Sequence, residues 1–228
     1  MPGKNTIKEY FEDSFYHIYN RGVEKRIIFQ DKLDYKTFLS YLKLYLSPPL
    51  QLPAEISAEF RRIAERASLN NLFGEVKLIS YCLMPNHFHF LVKQKPINGI
   101  EKFMRSIGTK YTMYFNKKYK RVGKLYQGTY KAVLVKSEAQ LLHLSRYIHL
   151  NPVVNQKLEP RKLHQKLISS SSYSSYANYL KLRNTTWLKS GEILEYFNSA
   201  NLSSSYQNFV EKHYTTPSEE TISKLLLE

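Results

Sequence analysis

His87 and His89 are separated by one residue within the apolar run His87-Phe88-His89-Phe90-Leu91-Val92. In a strand, residues i and i+2 point the same way, so both imidazoles would share one face and Phe88 and Phe90 the other. Two neighbouring imidazoles suit a divalent cation but supply only two ligands, so a third must come from elsewhere. Paired histidines of a core or surface are the competing reading of so short a pattern. Downstream, Tyr147 and Asn151 are four residues apart, with His143 a turn earlier, so a helix would put all three on one face. Leu141, Leu144 and Ile148 would then form the stripe that docks on a sheet. Near a cation, a tyrosine can attack phosphorus and become covalently phosphorylated, once a metal or base offsets its ordinary pKa of about 10. The chain has 19 tyrosines, so packing or stacking competes with that role at any one of them.

Such residues need a frame, and the patterning supplies one. Residues 14–20, SFYHIYN, are aromatic and β-branched and read as a strand, with Gly22 just after. Asp31 to Leu46 carries Leu33, Phe38, Leu39, Leu42 and Leu46 near helical spacing, with Asp31 as N-cap. Pro48, Pro49 and Pro53 break that pattern, and a second helix is expected over 54–70. The runs VKLISYCLM and HFHFLVKQ, joined by Pro85-Asn86, predict an antiparallel hairpin. Ile100 to Lys118 reads as a basic helix, and Gly123 to Val135 as an extended pair or strand. A further helix runs from Ser137, its N-cap, to Leu150, where Asn151-Pro152 ends it because a residue before proline avoids the α region. Together these elements describe an α+β layer, an antiparallel sheet covered by helices. The serines 169–172 look like a boundary, and beyond them lies a mostly helical extension.

Composition narrows the partner. The 228 residues carry 34 Lys and Arg against 19 Asp and Glu, a net charge of +15. Within Glu101–Lys162 there are 14 basic residues and three acids, interleaved with Tyr111, Tyr114, Phe115, Tyr119, Tyr126, Tyr130 and Tyr147. Cations for phosphates and rings for bases suit single-stranded nucleic acid. A solvated helix face whose aromatics belong to the core is the alternative. A hydrophobic share of 43% excludes a disordered polycation. The lone Cys82 excludes a disulfide framework and a multi-cysteine zinc site. With no long apolar stretch and no apolar leader at the N-terminus, the expected location is cytoplasmic, away from membranes.

Four motifs in order, FYHIYNRG, LMPNHFHFLV, YTMYFNKKYKRVGKLYQGTYKAVLV and RYIHLNPV, with SSYSSYANYL after them, resemble the single-tyrosine HUH transposases. These are IS200-like, and the likeness is strongest to the transposases associated with repetitive extragenic palindromes (REP). It covers residues 14–180. The resemblance implies a ferredoxin-like sheet in a transposase domain over 1–180, leaving 181–228 as a helical extension without an assigned role. It also implies that His87 and His89 bind Mg²⁺ or Mn²⁺ and that Asn151 stands where relatives place a third ligand, often glutamine. Tyr147 matches the nucleophile. Cleavage of single-stranded or hairpin DNA would then pass through a 5′-phosphotyrosine, with a homodimer as one form of the enzyme. Arg21, Lys102, Arg105, Lys110, Lys117, Lys118, Lys120, Arg121 and Lys131 would hold the DNA. His17 and Arg21 sit in a matching motif without an assigned chemical role. Thr129 replaces an arginine common in the LYQGxY segment. A palindrome-binding regulator that does not cut, and a hydrolase using water, are the rival functions.

Overall fold

Strand β1 (Ser14–Arg21), helix α1 (Lys32–Leu46), the hairpin β2 (Val76–Met84) and β3 (His87–Gln94), helix α2 (Gly99–Lys118) and strand β4 (Lys131–Leu134) appear in the order the patterning predicts. The computed structural model describes residues 8–49, 57, 59, 71–153, 156, 158–197 and 202–212. The helix expected over 54–70 falls, apart from Ser57 and Glu59, outside them. The four strands form one antiparallel sheet in the order β2-β3-β1-β4. That chain order and strand order make the ferredoxin-like α+β topology.

The sheet separates two apolar layers. On one face, Phe38 and Leu42 of α1 and Phe103, Ile107, Tyr111 and Phe115 of α2 pack on Phe88, Phe90 and Val92. On the other, Leu91, Ile79 and Cys82 meet Leu141, Leu144 and Ile148 of α3 (Glu138–Leu150). Further helices complete that layer: α4 (Pro160–Ser170), α5 (Tyr176–Tyr179), α6 (Gly191–Leu194) and α7 (Leu202–Glu211). The register of β2 shifts between Leu78 and Ser80, so Leu78 and Tyr81, three residues apart, both face the first layer. Among the described residues no helix is long and apolar enough to cross a membrane.

Both expected caps form: the Asp31 carboxylate accepts from the Leu33 and Asp34 N–H groups, and the Ser137 hydroxyl accepts from Gln140. Four expectations need correcting. Leu33 is 55% exposed, because it lies in the first turn, away from the buried face of Phe38, Leu42 and Tyr45. Only Lys131–Leu134 of the 123–135 segment is strand; Gly123 and Gly128 adopt φ of 93° and 121°, which break an extended ladder. The helix capped by Ser137 ends at Leu150 as expected, but not because Asn151 leaves the α region: Asn151 keeps φ −48° and ψ −41°, and the chain passes into a 3₁₀ turn over Asn151–Val153. Burial of Asn151 and Val153 outweighs the modest preference imposed by Pro152. The serine tract is no solvated boundary where it ends. Ser174 and Ser175 are buried, and the Ser175 N–H donates to the Tyr81 carbonyl at 2.9 Å. Further along, the Lys189 N–H donates to Leu78, so the chain after α4 covers much of the outer edge of β2.

One buried carboxylate ties α1 to α2. Asp34 is 0% exposed, and its oxygens accept from the Lys118 ammonium at 2.7 Å, Tyr114 at 2.9 Å, Tyr119 at 2.8 Å and the Gln30 N–H at 2.7 Å. Burial alone would raise its pKa, but these donors outweigh burial and hold the carboxyl below its ordinary value. Asp34→Asn should therefore destabilise the fold by about 3 kcal/mol, since it leaves Lys118 without its inner partner. Urea unfolding measures this, and a loss under about 1 kcal/mol would mean that the network adds little.

Candidate active site on the second face of the sheet

The register of β1 on β3 assembles the site. Tyr19 lies opposite His89 and Arg21 opposite His87, while His17, opposite Leu91, is the diagonal neighbour of His89. His17 Nε2 lies 2.9 Å from His89 Nδ1, and the two rings are stacked with centroids 5.2 Å apart. The His87 ring stands edge-on to His89 at 5.0 Å. Over these rings lies α3. Its Tyr147 ring meets His89 edge to face at 5.4 Å and His17 at 6.1 Å. One turn later Asn151 Oδ1 is 3.4 Å from His87 Nε2. The structure thus brings together all four residues that the motifs single out for chemistry: His87, His89, Tyr147 and Asn151. Phe88 and Phe90 point into the opposite layer, as strand alternation requires.

The protonation pattern follows from burial. His17 is pushed down to about 3 by desolvation. His89 lies well below its ordinary value, through burial first and then the neighbouring His17 and His87. His87 is lowered by burial too, with the Asn151 contact opposing and Arg21 adding to the shift. All three imidazoles are neutral near pH 7, the form that binds metal ions. Hydrogen bonding then fixes the tautomer of His87. Asn86 donates its amide N–H to the Lys25 carbonyl, so its Oδ1 is an acceptor, 2.6 Å from His87 Nδ1. His87 must donate there, which leaves the Nε2 lone pair facing Asn151 Oδ1. Asn151 Nδ2, meanwhile, is buried with no hydrogen-bond partner. Turning that amide over would satisfy Nδ2 and strand Oδ1 instead. Either way a buried polar atom here lacks a hydrogen-bond partner, and two facing lone pairs are the donor set a cation would fill. Among the described residues no group of three His, Cys, Asp or Glu side chains is placed to hold a metal ion; the converging set is two imidazoles and an amide.

The basic residues divide between the faces. Arg21 and Lys131 share the histidine face, Lys131 through its pairing with Tyr19. Helix α2 lies on the other side, so Lys102, Arg105, Lys110, Lys117 and Lys118 do not line the histidine–tyrosine cleft. Lys118 is held by Asp31 and Asp34, Lys102 pairs with Glu75 at 3.3 Å, and Lys110 lies over the Tyr41 ring at 5.1 Å. Arg121 bonds Asn116, while Arg105, Lys117 and Lys120 are exposed. The interleaved tyrosines are mostly structural. Tyr111 is buried and donates to the Ile28 carbonyl, Tyr114 and Tyr119 donate to Asp34, and Tyr130 bonds Tyr10. A groove of about 670 Å³ opens beside α2, with Arg105 and Lys124 among its lining residues and Thr129 on its wall.

Residues 52–151 match the family model described as IS200-like transposase. Over that stretch the chain is similar to the IS200-like transposases. The recognition from the four motifs is borne out, and His87, His89, Tyr147 and Asn151 all fall inside the match. Strand β1, with His17 and Arg21, and everything after Asn151 lie outside it. A solved structure of a REP-associated tyrosine transposase bound to a REP hairpin aligns at 11% identity with a TM-score of 0.49, over 82% of this chain and 91% of that one. No curated protein matches the chain.

Two sets of residues around this cleft escape a reading by motif. His17 has no spacing to His89 in sequence; only strand pairing joins them. His149, two residues after Tyr147, points away from the cleft: its Nδ1 is 2.8 Å from the Tyr206 hydroxyl and its Nε2 2.7 Å from Ser175 Oγ. Burial, with Arg183 adding, pushes it down to about 3. The sign of the resulting pH dependence is fixed. Each of these histidines is neutral when folded and regains a pKa of about 6.5 when unfolded, so stability is full above about pH 6.5 and falls as pH drops toward 3. The slope should approach about 1.4 kcal/mol per pH unit for each buried histidine. Urea midpoints at pH 7.5 and 5.0 measure it; equal midpoints would mean that these imidazoles are hydrated in the folded chain.

Proposed function

We propose that the protein cleaves and rejoins single-stranded DNA through a covalent bond to Tyr147. The observation that carries this reading is the Tyr147 ring set over His89, with Asn151 of the same helix face against His87. His87, His89 and Asn151 would hold a divalent cation, Mg²⁺ or Mn²⁺, whose chemistry is to withdraw charge from a scissile phosphate. The chain's own residues do the rest. The Asn86–His87 bond aims a lone pair into the cleft, and Arg21, beside His87, offers positive charge to a phosphate oxygen. The Tyr147 hydroxyl attacks phosphorus; the new bond is Tyr147 Oη–P and the bond that breaks is P–O3′. The phenolic proton leaves with the 3′-hydroxyl. The phosphotyrosine keeps the ester energy, so another 3′-hydroxyl can reverse the step and join different ends without ATP.

Tyr147→Phe should abolish the covalent protein–DNA adduct and leave DNA binding within about threefold, since only the hydroxyl is lost. A single-stranded hairpin library with Mg²⁺, resolved on denaturing gels, reads the adduct. An adduct at the parental level would move the nucleophile to another tyrosine. Binding without any adduct in the parent would favour the non-cutting regulator, and cleavage without an adduct the hydrolase.

Hairpin DNA is the substrate form that the charge distribution supports, with a stem held on the α2 face and a single strand in the cleft. Each phosphate neutralised contributes a log–log salt slope of about −0.9 on a duplex stem and about −0.7 on a single strand. Reversing Arg105, Lys117, Lys120 and Lys124 to glutamate should weaken binding and flatten the slope by about two to three, without touching the Asp34 network. Fluorescence anisotropy at several salt concentrations decides; an unchanged slope would leave the α2 face as a solvated surface.

A further inference from the structure

His17 stands in the cleft with no role in the proposed chemistry, yet its ring stacks on His89 and its hydrogen-bonding nitrogen approaches that residue. Its side chain is 2% exposed, and its one polar contact among the described residues is the 2.9 Å approach of Nε2 to His89 Nδ1. Its other nitrogen, Nδ1, is buried without a partner. A buried imidazole with half its hydrogen-bonding capacity unmet is a costly feature, and a small apolar residue in β1 would avoid the cost. The contact has only two proton arrangements. Either His17 Nε2–H donates to His89 Nδ1, or His89 Nδ1–H donates to His17 Nε2. The first puts the His89 proton on Nε2 and bars that nitrogen from any cation. The second leaves the lone pair on Nε2, the nitrogen turned away from His17. Metal-binding histidines are commonly held in this way through their second nitrogen, which fixes both ring orientation and tautomer.

We propose that His17 is the positioning residue for His89: it accepts the His89 Nδ1–H through Nε2 and so keeps His89 Nε2 available as a metal ligand. This inference rests on the metal site of the proposed function. His87 obtains the same service from Asn86 Oδ1, so each histidine of the pair has its own acceptor, one from the hairpin turn and one from β1. The two devices differ in origin. Asn86 is adjacent in sequence to His87, whereas His17 is 72 residues from His89 and reaches it only through the β1–β3 register. Proper pairing of β1 thereby becomes a condition for a competent ligand set. No proton need leave the cleft for this, since His17 carries its own proton on Nδ1 in that arrangement.

The test uses the full chain and Mg²⁺ or Mn²⁺ alone, without DNA. With ¹⁵N-labelled histidine and Mg²⁺, the His89 proton should reside on Nδ1 and show scalar coupling across the hydrogen bond to His17 Nε2. A proton found on His17 Nε2 overturns the inference. Separately, Mn²⁺ affinity is read from the paramagnetic resonance of the free ion. His17→Phe, which keeps a ring and removes the acceptor, should weaken Mn²⁺ binding 10- to 100-fold. His17→Gln, whose Oε1 can accept from His89, should stay within about threefold of the parent, a rescue that a purely space-filling role would not show. Equal affinity in parent and His17→Phe overturns the inference while leaving the metal site standing. A parent that binds no Mn²⁺ removes the metal site, and this inference with it. Should His17→Phe fail to fold, the resonance assignment in the parent decides alone.

Discussion

The alternation along β3 is the constraint on which the site depends. His87 and His89 face α3 because Phe88 and Phe90 face α1 and α2, and a slip of one residue would exchange the two sets. That slip would drive two imidazoles into an aromatic layer and expel two phenyl rings that each bury on the order of 150–250 Å². At about 25 cal/mol per Å² the loss is about 8–12 kcal/mol, comparable to the whole stability of a typical domain. Core packing and the placement of the two histidines are therefore one decision. The same pairing carries over to β1, where Tyr16 and Ile18 are buried in the aromatic layer and His17 meets His89 on the other face.

Helix α3 is held from two sides. Toward the sheet, Leu141, Leu144 and Ile148 make an apolar seam with Leu91, Ile79 and Cys82. Behind it, His149 links the Tyr206 hydroxyl of α7 to Ser175, whose Oγ accepts from the Tyr81 N–H of β2 at 2.9 Å. Tyr206 also donates to Ser145 on the same helix, and the Arg146 guanidinium lies over the Phe209 ring at 4.9 Å. Satisfied buried networks of this kind fix a single arrangement, because each unmet partner would be costly in low dielectric. Residues beyond the family match thus brace the helix that carries Tyr147.

Net charge and site charge are different matters in this chain. Much of the basic segment belongs to α2, on the face away from the histidines, and two of its cations, Lys102 and Lys118, are already engaged with Glu75 and with Asp31 and Asp34. Within the cleft, positive charge comes from Arg21 and Lys131 on the sheet itself.

The sequence by itself determined what is local or periodic. The strands, the hairpin at Pro85-Asn86, the caps at Asp31 and Ser137, the shared face of His87 and His89 and the four-residue reach from Tyr147 to Asn151 are all periods of two or 3.6 read along the chain. The ordered motifs added the family. Tertiary structure alone decided which cations reach the cleft, because a run of charge in sequence says nothing about which side of a sheet its helix will cover. It also decided that the interleaved tyrosines serve the core and the Asp34 cluster, and that Asn151 keeps an α conformation ahead of Pro152. The partnership of His17 with His89, and of His149 with Tyr206, joins residues 72 and 57 positions apart. Such contacts have no period to reveal them; strand register and helix packing bring them together, and both are properties of the folded chain.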